Sequence, residues 1–169
     1  MKHINVSVFV PHAGCPHQCS FCNQRSISGA KSQPTAQDVR DAALIAMRSS
    51  PEGIKDGEIA FFGGSFTAID RDYMIELLSS AQEFIGENGF KGIRVSTRPD
   101  AVDGEICDIL EKYHVTAVEL GAQSTNDKML AMNRRGHTPE DIFPSARGLK
   151  ESGLAFGAQK VAGRHGSEC

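Results

Sequence analysis

Residues 5–22 read NVSVFVPHAGCPHQCSFC, a short apolar run that empties into a loop holding Cys15, Cys19 and Cys22. The run is a strand candidate, Asn5–Val10. Four further runs of strand length follow at 58–62, 92–96, 116–121 and 154–159, with stretches of helical period between them. This alternation is the signature of repeated βα units and a parallel sheet, so an α/β fold is expected. The one long connection, residues 11–34, is the one that carries the three thiols.

The helices between these runs have readable starts. Thr35 precedes Asp38 by three residues, Asp70 precedes Tyr73 and Met74, and Asp103 precedes Ile106. Ser124 stands before Asp127, and Thr138 is followed by Pro139 and Asp141. Each pattern offers a side-chain acceptor to the orphan N–H groups of a first helical turn. Met74, Leu77, Leu78, Ala81 and Ile85 recur at helical spacing, so one face of the second helix is expected to pack on the sheet.

At 169 residues the chain is expected to form one domain, 1–169, since about 150 residues make a typical one. The 40% apolar fraction excludes low-complexity disorder. No apolar run approaches the roughly 18 residues of a membrane-spanning helix, and a cytoplasmic location without a membrane partner is expected. The net charge is −3, with the acidic excess in residues 51–120 and net basic ends, which allows RNA as a substrate without requiring it.

Five Cys is an odd count, and no secretory signal precedes them, so clustered thiols are expected to hold metal rather than form disulfides. Thiolates suit both zinc and iron–sulfur clusters. A structural zinc site would close its tetrahedron with His12, His17 or a distant residue. A four-iron cubane on three thiolates would leave one iron open to a small molecule. Cys107, among Ile106, Ile109 and Leu110, is expected to be core packing, and Cys169 a terminal thiol without a role.

In parallel βα folds reactive groups gather at the carboxyl ends of strands. There the chain offers Gly63-Gly64, where backbone can approach a ligand unobstructed. Pro99 keeps Arg98 out of helical geometry, and Arg98 is expected to pair with Asp100 or Glu119, or else to serve the site. Glu119 lies inside a strand, where a charge needs a partner or a function. Arg135 can bind a carboxylate through two parallel hydrogen bonds. Arg134 is expected as surface charge, His137 as a satisfied loop histidine, and Ser124 as a helix cap.

Three and then two residues separate the thiols, and Phe21 stands just before the last. This loop resembles the cluster loop of the radical S-adenosylmethionine superfamily. The resemblance implies a partial (β/α) TIM-like barrel, with a 4Fe-4S cluster on Cys15, Cys19 and Cys22. Its open iron would take the amino and carboxylate groups of S-adenosyl-L-methionine. By the same resemblance Phe21 lies beside the adenine, and Gly63, Gly64 and Ser65 form the segment that contacts the cofactor's amino group. Ser96 and Gln123 contact the cofactor, and Arg135 pairs with its carboxylate.

The blocks Phe-Gly-Gly-Ser-Phe at 62–66, Ser-Thr-Arg-Pro-Asp at 96–100, Val-Glu-Leu-Gly-Ala-Gln-Ser at 118–124 and Arg-Gly-His-Thr at 135–138 are most similar to the elongator catalytic-subunit type. Its members modify wobble uridine in tRNA. Porphyrinogen-oxidising and tRNA-methylthiolating relatives share much of this core. An enzyme is therefore expected. An electron from a donor such as flavodoxin or ferredoxin would enter the cluster, and S-adenosylmethionine would be cleaved to a 5′-deoxyadenosyl radical that abstracts hydrogen from substrate. Length suggests about five of the six expected βα units, hence a domain incomplete at its C-terminus or an inactive fragment. The alternative class is a zinc-stabilised binding module.

Overall fold

The computed structural model describes residues 4–11, 15, 19–22, 32–50 and 54–160. Its strands are β1 (Asn5–Val10), β2 (Glu58–Gly63), β3 (Gly92–Thr97), β4 (Val115–Gln123) and β5 (Ala155–Lys160). They form one sheet in the order β1-β2-β3-β4-β5, every neighbouring pair parallel. The helices α1 (Ala36–Ser49), α2 (Arg71–Gln82), α3 (Gly104–Lys112), the short α4 (Asp127–Met132) and α5 (Pro139–Glu151) fall between the strands. This is the expected α/β arrangement, with five parallel strands and helices following the first four of them among the described residues. Among the described residues no helix is long and apolar enough to cross a membrane. The candidate zinc ligands His12 and His17, and Cys169, lie outside the described residues.

The starts read from the sequence form as local chemistry requires. Thr35 and Asp38 make a reciprocal capping box, the Thr35 N–H donating to the Asp38 carboxylate at 2.7 Å. Asp70 accepts from the Tyr73 N–H at 3.0 Å and Asp103 from the Ile106 N–H at 2.8 Å. Thr138 donates to Asp141 at 2.7 Å, with Pro139 in the first turn. The start of α4 differs from expectation. Asn126 is its cap, accepting from the Met129 N–H at 3.3 Å, while Ser124 accepts from the Asn126 N–H at 3.1 Å. Ser124 thus closes a turn one step before the helix, and the longer Asn side chain takes the cap.

One sheet face packs on the helices. Val6, Val8, Ile59, Phe61, Ile93 and Val95 meet Val39, Met74, Leu77, Leu78 and Leu110 in a single core. Burying each large side chain is worth about 1.5–3 kcal/mol. Ile85 lies beyond the end of α2 and pairs with Phe90 in an isolated bridge. Cys107 is 2% exposed on α3, its thiol pushed above its ordinary value chiefly by burial. Strand β5 is exposed along nearly all its length, with Phe156 40% accessible.

The opposite sheet face is polar. Arg94 of β3 donates through Nε to Glu58 of β2 at 2.8 Å and through Nη1 to Glu119 of β4. Thr116 Oγ1 donates to the second Glu58 oxygen at 2.8 Å. Arg94 therefore bridges two acids on its neighbouring strands, and Glu119 has the ion pair its position in a parallel strand requires. The arginine of that pair is Arg94; Arg98 pairs with Asp100.

Helices α4 and α5 end in the same geometry with different residues. In α5 the left-handed position after the cap is Gly153, with φ 71° and the Leu154 N–H reaching back to Leu149 O at 2.9 Å. In α4 the equivalent residue is Arg134, φ 53°, and the Arg135 N–H reaches Leu130 O at 2.9 Å. A side chain in this region costs about 1–2 kcal/mol. Arg134→Gly, at an exposed position, is accordingly expected to raise unfolding stability by about 1 kcal/mol in urea denaturation; unchanged or lowered stability would contradict a left-handed Arg134.

Candidate functional site

The carboxyl ends of all the strands except β1 contribute to one open cavity. Cys15, Cys19, Phe21 and Cys22 line one wall. Gly63 ends β2 and Gly64 follows it, Ser96 and Thr97 end β3, and Arg98 comes next. Glu119, Gly121 and Gln123 belong to β4, Gln159 to β5, and Arg135 to the loop after α4. Of the residues that the resemblance assigns to the cluster and the cofactor, all but Ser65 line this cavity. Thr97, Gly121 and Gln159 join it without having been singled out, and their position at strand ends was the available signal.

Two glycines make the cavity's shape. Gly63 has φ 118°, and a Cβ there would sit 2.7 Å from Val10 O. At Gly121 a Cβ would lie 2.7 Å from Arg135 Nη2, so any side chain would displace the guanidinium.

The cysteine loop is fastened to the strand ends by the loop after α4. Ser20 donates through its N–H to Asn133 O at 3.1 Å and through its hydroxyl to Asn133 Oδ1 at 2.8 Å. Arg135 donates through Nη1 to Cys19 Sγ at 3.5 Å and through Nη2 to Gly121 O at 2.5 Å. His137 Nε2 donates to Ala122 O at 3.1 Å. The pairing of β4 with β5 shifts register between Leu120 and Gln123. The side chains of Arg135 and His137 take the carbonyls inside that irregularity. The Ser124 N–H also donates to Ala122 O, at 2.8 Å, closing a tight turn around Gln123, which has φ 65°. A glutamine held in this sparsely populated region at the lip of a cavity is an imposed geometry of the kind found at functional sites.

Ser65 stands behind the wall. It is 1% exposed, and its hydroxyl belongs to a chain of hydrogen bonds with one direction. Thr67 donates to Ala101 O at 2.5 Å, so Thr97 must donate to Thr67 at 2.6 Å and Ser65 to Thr97 at 2.8 Å. Ser65 in turn accepts from the Arg98 N–H at 3.1 Å. What Ser65 offers the site is its peptide N–H, which donates to the Cys15 sulfur. Arg98 is extended, φ −87° and ψ 151°, as the following Pro99 requires, and its Nε binds Asp100 at 2.8 Å.

Burial pushes the Cys15 thiol above its ordinary value, opposed by the Ser65 N–H and by the guanidinium groups of Arg98 and Arg135. Cys15, Cys19, Cys22 and Cys107 are all free of disulfides. Three cavity residues hold buried polar atoms with no hydrogen-bond partner: Ser96 Oγ, Gln123 Oε1 and Arg135 Nε. Such atoms are costly unless a ligand meets them. A cofactor with carboxylate, amino and ribose hydroxyl groups supplies the complementary acceptors and donors, and three soft thiols beside it fit an iron–sulfur cluster. The residues present therefore fit both groups.

The sequence profile of the radical SAM superfamily matches residues 9–159. The chain belongs to the radical SAM superfamily. A putative methylthiotransferase of Methanocaldococcus jannaschii is 30% identical, over 90% of this chain and 33% of that protein. The tRNA uridine(34) acetyltransferase of Methanocaldococcus infernus is 26% identical, over 96% of this chain and 37% of its own length. The solved structure of the archaeal Methanocaldococcus infernus Elp3 with an N-terminal deletion superposes with a TM-score of 0.72 at 21% identity, covering 98% of this chain and 39% of that one. The radical SAM chain thus spans well under half the length of these relatives. The Elp3 superposition matches the TIM-like radical SAM barrel expected from the cysteine loop.

His137 supplies a test of the loop that holds Arg135. Burial foremost, and then the nearby Arg135 charge, hold its pKa below the ordinary 6.5. The folded state thus binds fewer protons than the unfolded chain as pH falls below about 6.5. Stability is full above that pH and is lost as pH drops toward the lower folded value. In His137→Gln, which keeps a donor for Ala122 O but cannot titrate, this acid-side loss should shrink in urea titrations at pH 7 and pH 5.5; an unchanged pH slope would contradict the buried neutral histidine.

Proposed function

We propose that the chain is the cofactor-binding core of a radical SAM enzyme that modifies tRNA, with Cys15, Cys19 and Cys22 holding a 4Fe-4S cluster. The observation that carries this reading is that three free thiols line one cavity together with Ser96, Gln123 and Arg135, each of which holds a buried polar atom without a partner. A structural zinc site is the weaker reading. The spacing of the three thiols and the match to the radical SAM profile favour a cubane, which takes each thiolate on a separate iron.

When bound, the cluster and S-adenosyl-L-methionine supply a 5′-deoxyadenosyl radical for hydrogen abstraction, given an electron from an external donor of the flavodoxin or ferredoxin kind. The chain's own residues bind, orient and shield. Gly63 and Gly64 let the backbone approach the cofactor's amino group, with Ser65 supporting them from behind through its hydroxyl chain. Arg135 brings a guanidinium to the cavity for the cofactor's carboxylate, and Ser96 and Gln123 bring polar side chains for the rest of the cofactor. Phe21, at the cavity wall, provides a flat apolar surface for the adenine. Glu119, fixed by Arg94, places a carboxylate on the cavity lining.

tRNA as substrate is supported by the relative named for uridine 34 of tRNA and by the blocks at 62–66, 96–100, 118–124 and 135–138. The free thiols suit a reducing cytoplasm, where we place the protein.

Anaerobic reconstitution of the chain with iron and sulfide should give about four irons and a chromophore that bleaches on reduction. Cys19→Ala should lose essentially all of this iron. Stoichiometric zinc with no iron uptake in the wild type, or full iron retention by Cys19→Ala, would overturn the proposal.

A further inference from the structure

Arg135 is 8% exposed, and among the described residues no carboxylate pairs with it. The other guanidinium on the cavity, Arg98, differs in that Asp100 neutralises it. The nitrogens of Arg135 are spent unequally. Nη2 is held by Gly121 O at 2.5 Å, Nη1 points at Cys19 Sγ at 3.5 Å, and Nε has no partner. A two-pronged grip on a ligand carboxylate would need an η nitrogen already committed to another atom. A buried cation without an acid partner is stable only beside another negative centre, and the sulfur of Cys19 is the candidate in contact with it.

We propose that Arg135 is the counter-charge of the iron–sulfur centre, raising its reduction potential through the Cys19 sulfur. This inference rests on the cluster reading given above. A cubane held by three thiolates gains one negative charge when it accepts an electron, and hydrogen bonds and charges at its sulfurs are among the determinants of its potential. A guanidinium N–H on a ligating sulfur stabilises the reduced form more than the oxidised one, because the extra electron increases the negative charge it faces. The Ser65 peptide N–H acts in the same sense on Cys15. The placement is imposed by the fold: the turn after α4 fixes the Arg135 backbone, Gly121 leaves room for the guanidinium, and Ser20 holds the thiol loop to Asn133. Arg135 thereby has a role before any S-adenosylmethionine binds.

The test is the midpoint potential of the reconstituted chain in the absence of S-adenosylmethionine, followed by electron paramagnetic resonance of the cluster during titration with a chemical one-electron reductant. In Arg135→Gln, with iron content equal to wild type, the equilibrium constant for reduction should fall about tenfold or more, a drop of about 59 mV for one electron. Arg135→Lys, which keeps the charge and loses the fork, should show a smaller drop. Equal potentials in wild type and Arg135→Gln, both fully loaded with iron, would overturn the inference and leave the cluster standing. Should Arg135→Gln fail to hold iron, Arg135→Lys carries the test, and a potential at or above wild type overturns it. A wild-type chain that takes up no iron would overturn the cluster reading itself.

Discussion

The guanidinium of Arg135 joins three parts of the molecule that are far apart in the chain: the loop after α4 that carries it, the end of β4 at Gly121, and the thiol loop at Cys19. Its neighbours repeat the connection, Asn133 to Ser20 and His137 to Ala122. Residues 133–137 therefore act as a bracket between the sheet's carboxyl edge and a loop that lies outside the sheet. Each hydrogen bond of this kind contributes only about 0.5–1.5 kcal/mol net. Their joint effect is geometric, because five polar contacts from three residues within a five-residue span, three of them to Cys19 and Ser20, tie those two residues to the strand ends.

Around that bracket most polar atoms are used up, while Ser96, Gln123 and Arg135 of the cavity lining and His137 Nδ1 keep buried polar atoms without a partner. The hydroxyls of Ser65, Thr97 and Thr67 run in one direction from the Arg98 N–H to Ala101 O, so each is satisfied and none is free to bind elsewhere. Arg94 spends its charge on Glu58 and Glu119. Against this background the unpaired atoms of Ser96, Gln123 and Arg135 stand out, and the left-handed backbone of Gln123 shows that the fold accepts strain to present one of them. A site is distinguished from a core by this concentration: hydrogen-bonded groups hold the wall, and three of the residues lining the cavity keep an unpartnered polar atom.

Much of this was legible before any coordinates. The strands, the capping box at Thr35 and the cap at Asp70 depend on residues within a few positions of one another, and they form as read. The cysteine spacing and the strand-end motifs identify the site because its chemistry constrains residue type at short range. What escaped depends on register and direction. Arg94 meets Glu58 and Glu119 only because of how β2, β3 and β4 align, and no pattern within one strand announces that. Ser65 was expected to face the cofactor, yet its hydroxyl turns back into the wall while its N–H meets Cys15. Arg135 was legible as a site residue, but the division of its three nitrogens among a sulfur, a carbonyl and an open position required the β4 irregularity. Asn126 displaced Ser124 as the cap of α4 because two acceptors compete within one turn, and side-chain reach decides between them.

The central claim is that three thiolates hold a cluster with one iron left for S-adenosyl-L-methionine at this cavity. The most direct test is the electron paramagnetic resonance spectrum of the reduced, reconstituted chain, recorded before and after S-adenosyl-L-methionine is added. The account predicts that the cofactor changes the g values of the cluster signal, since it enters the coordination of the open iron. A spectrum unchanged at saturating S-adenosyl-L-methionine would contradict it.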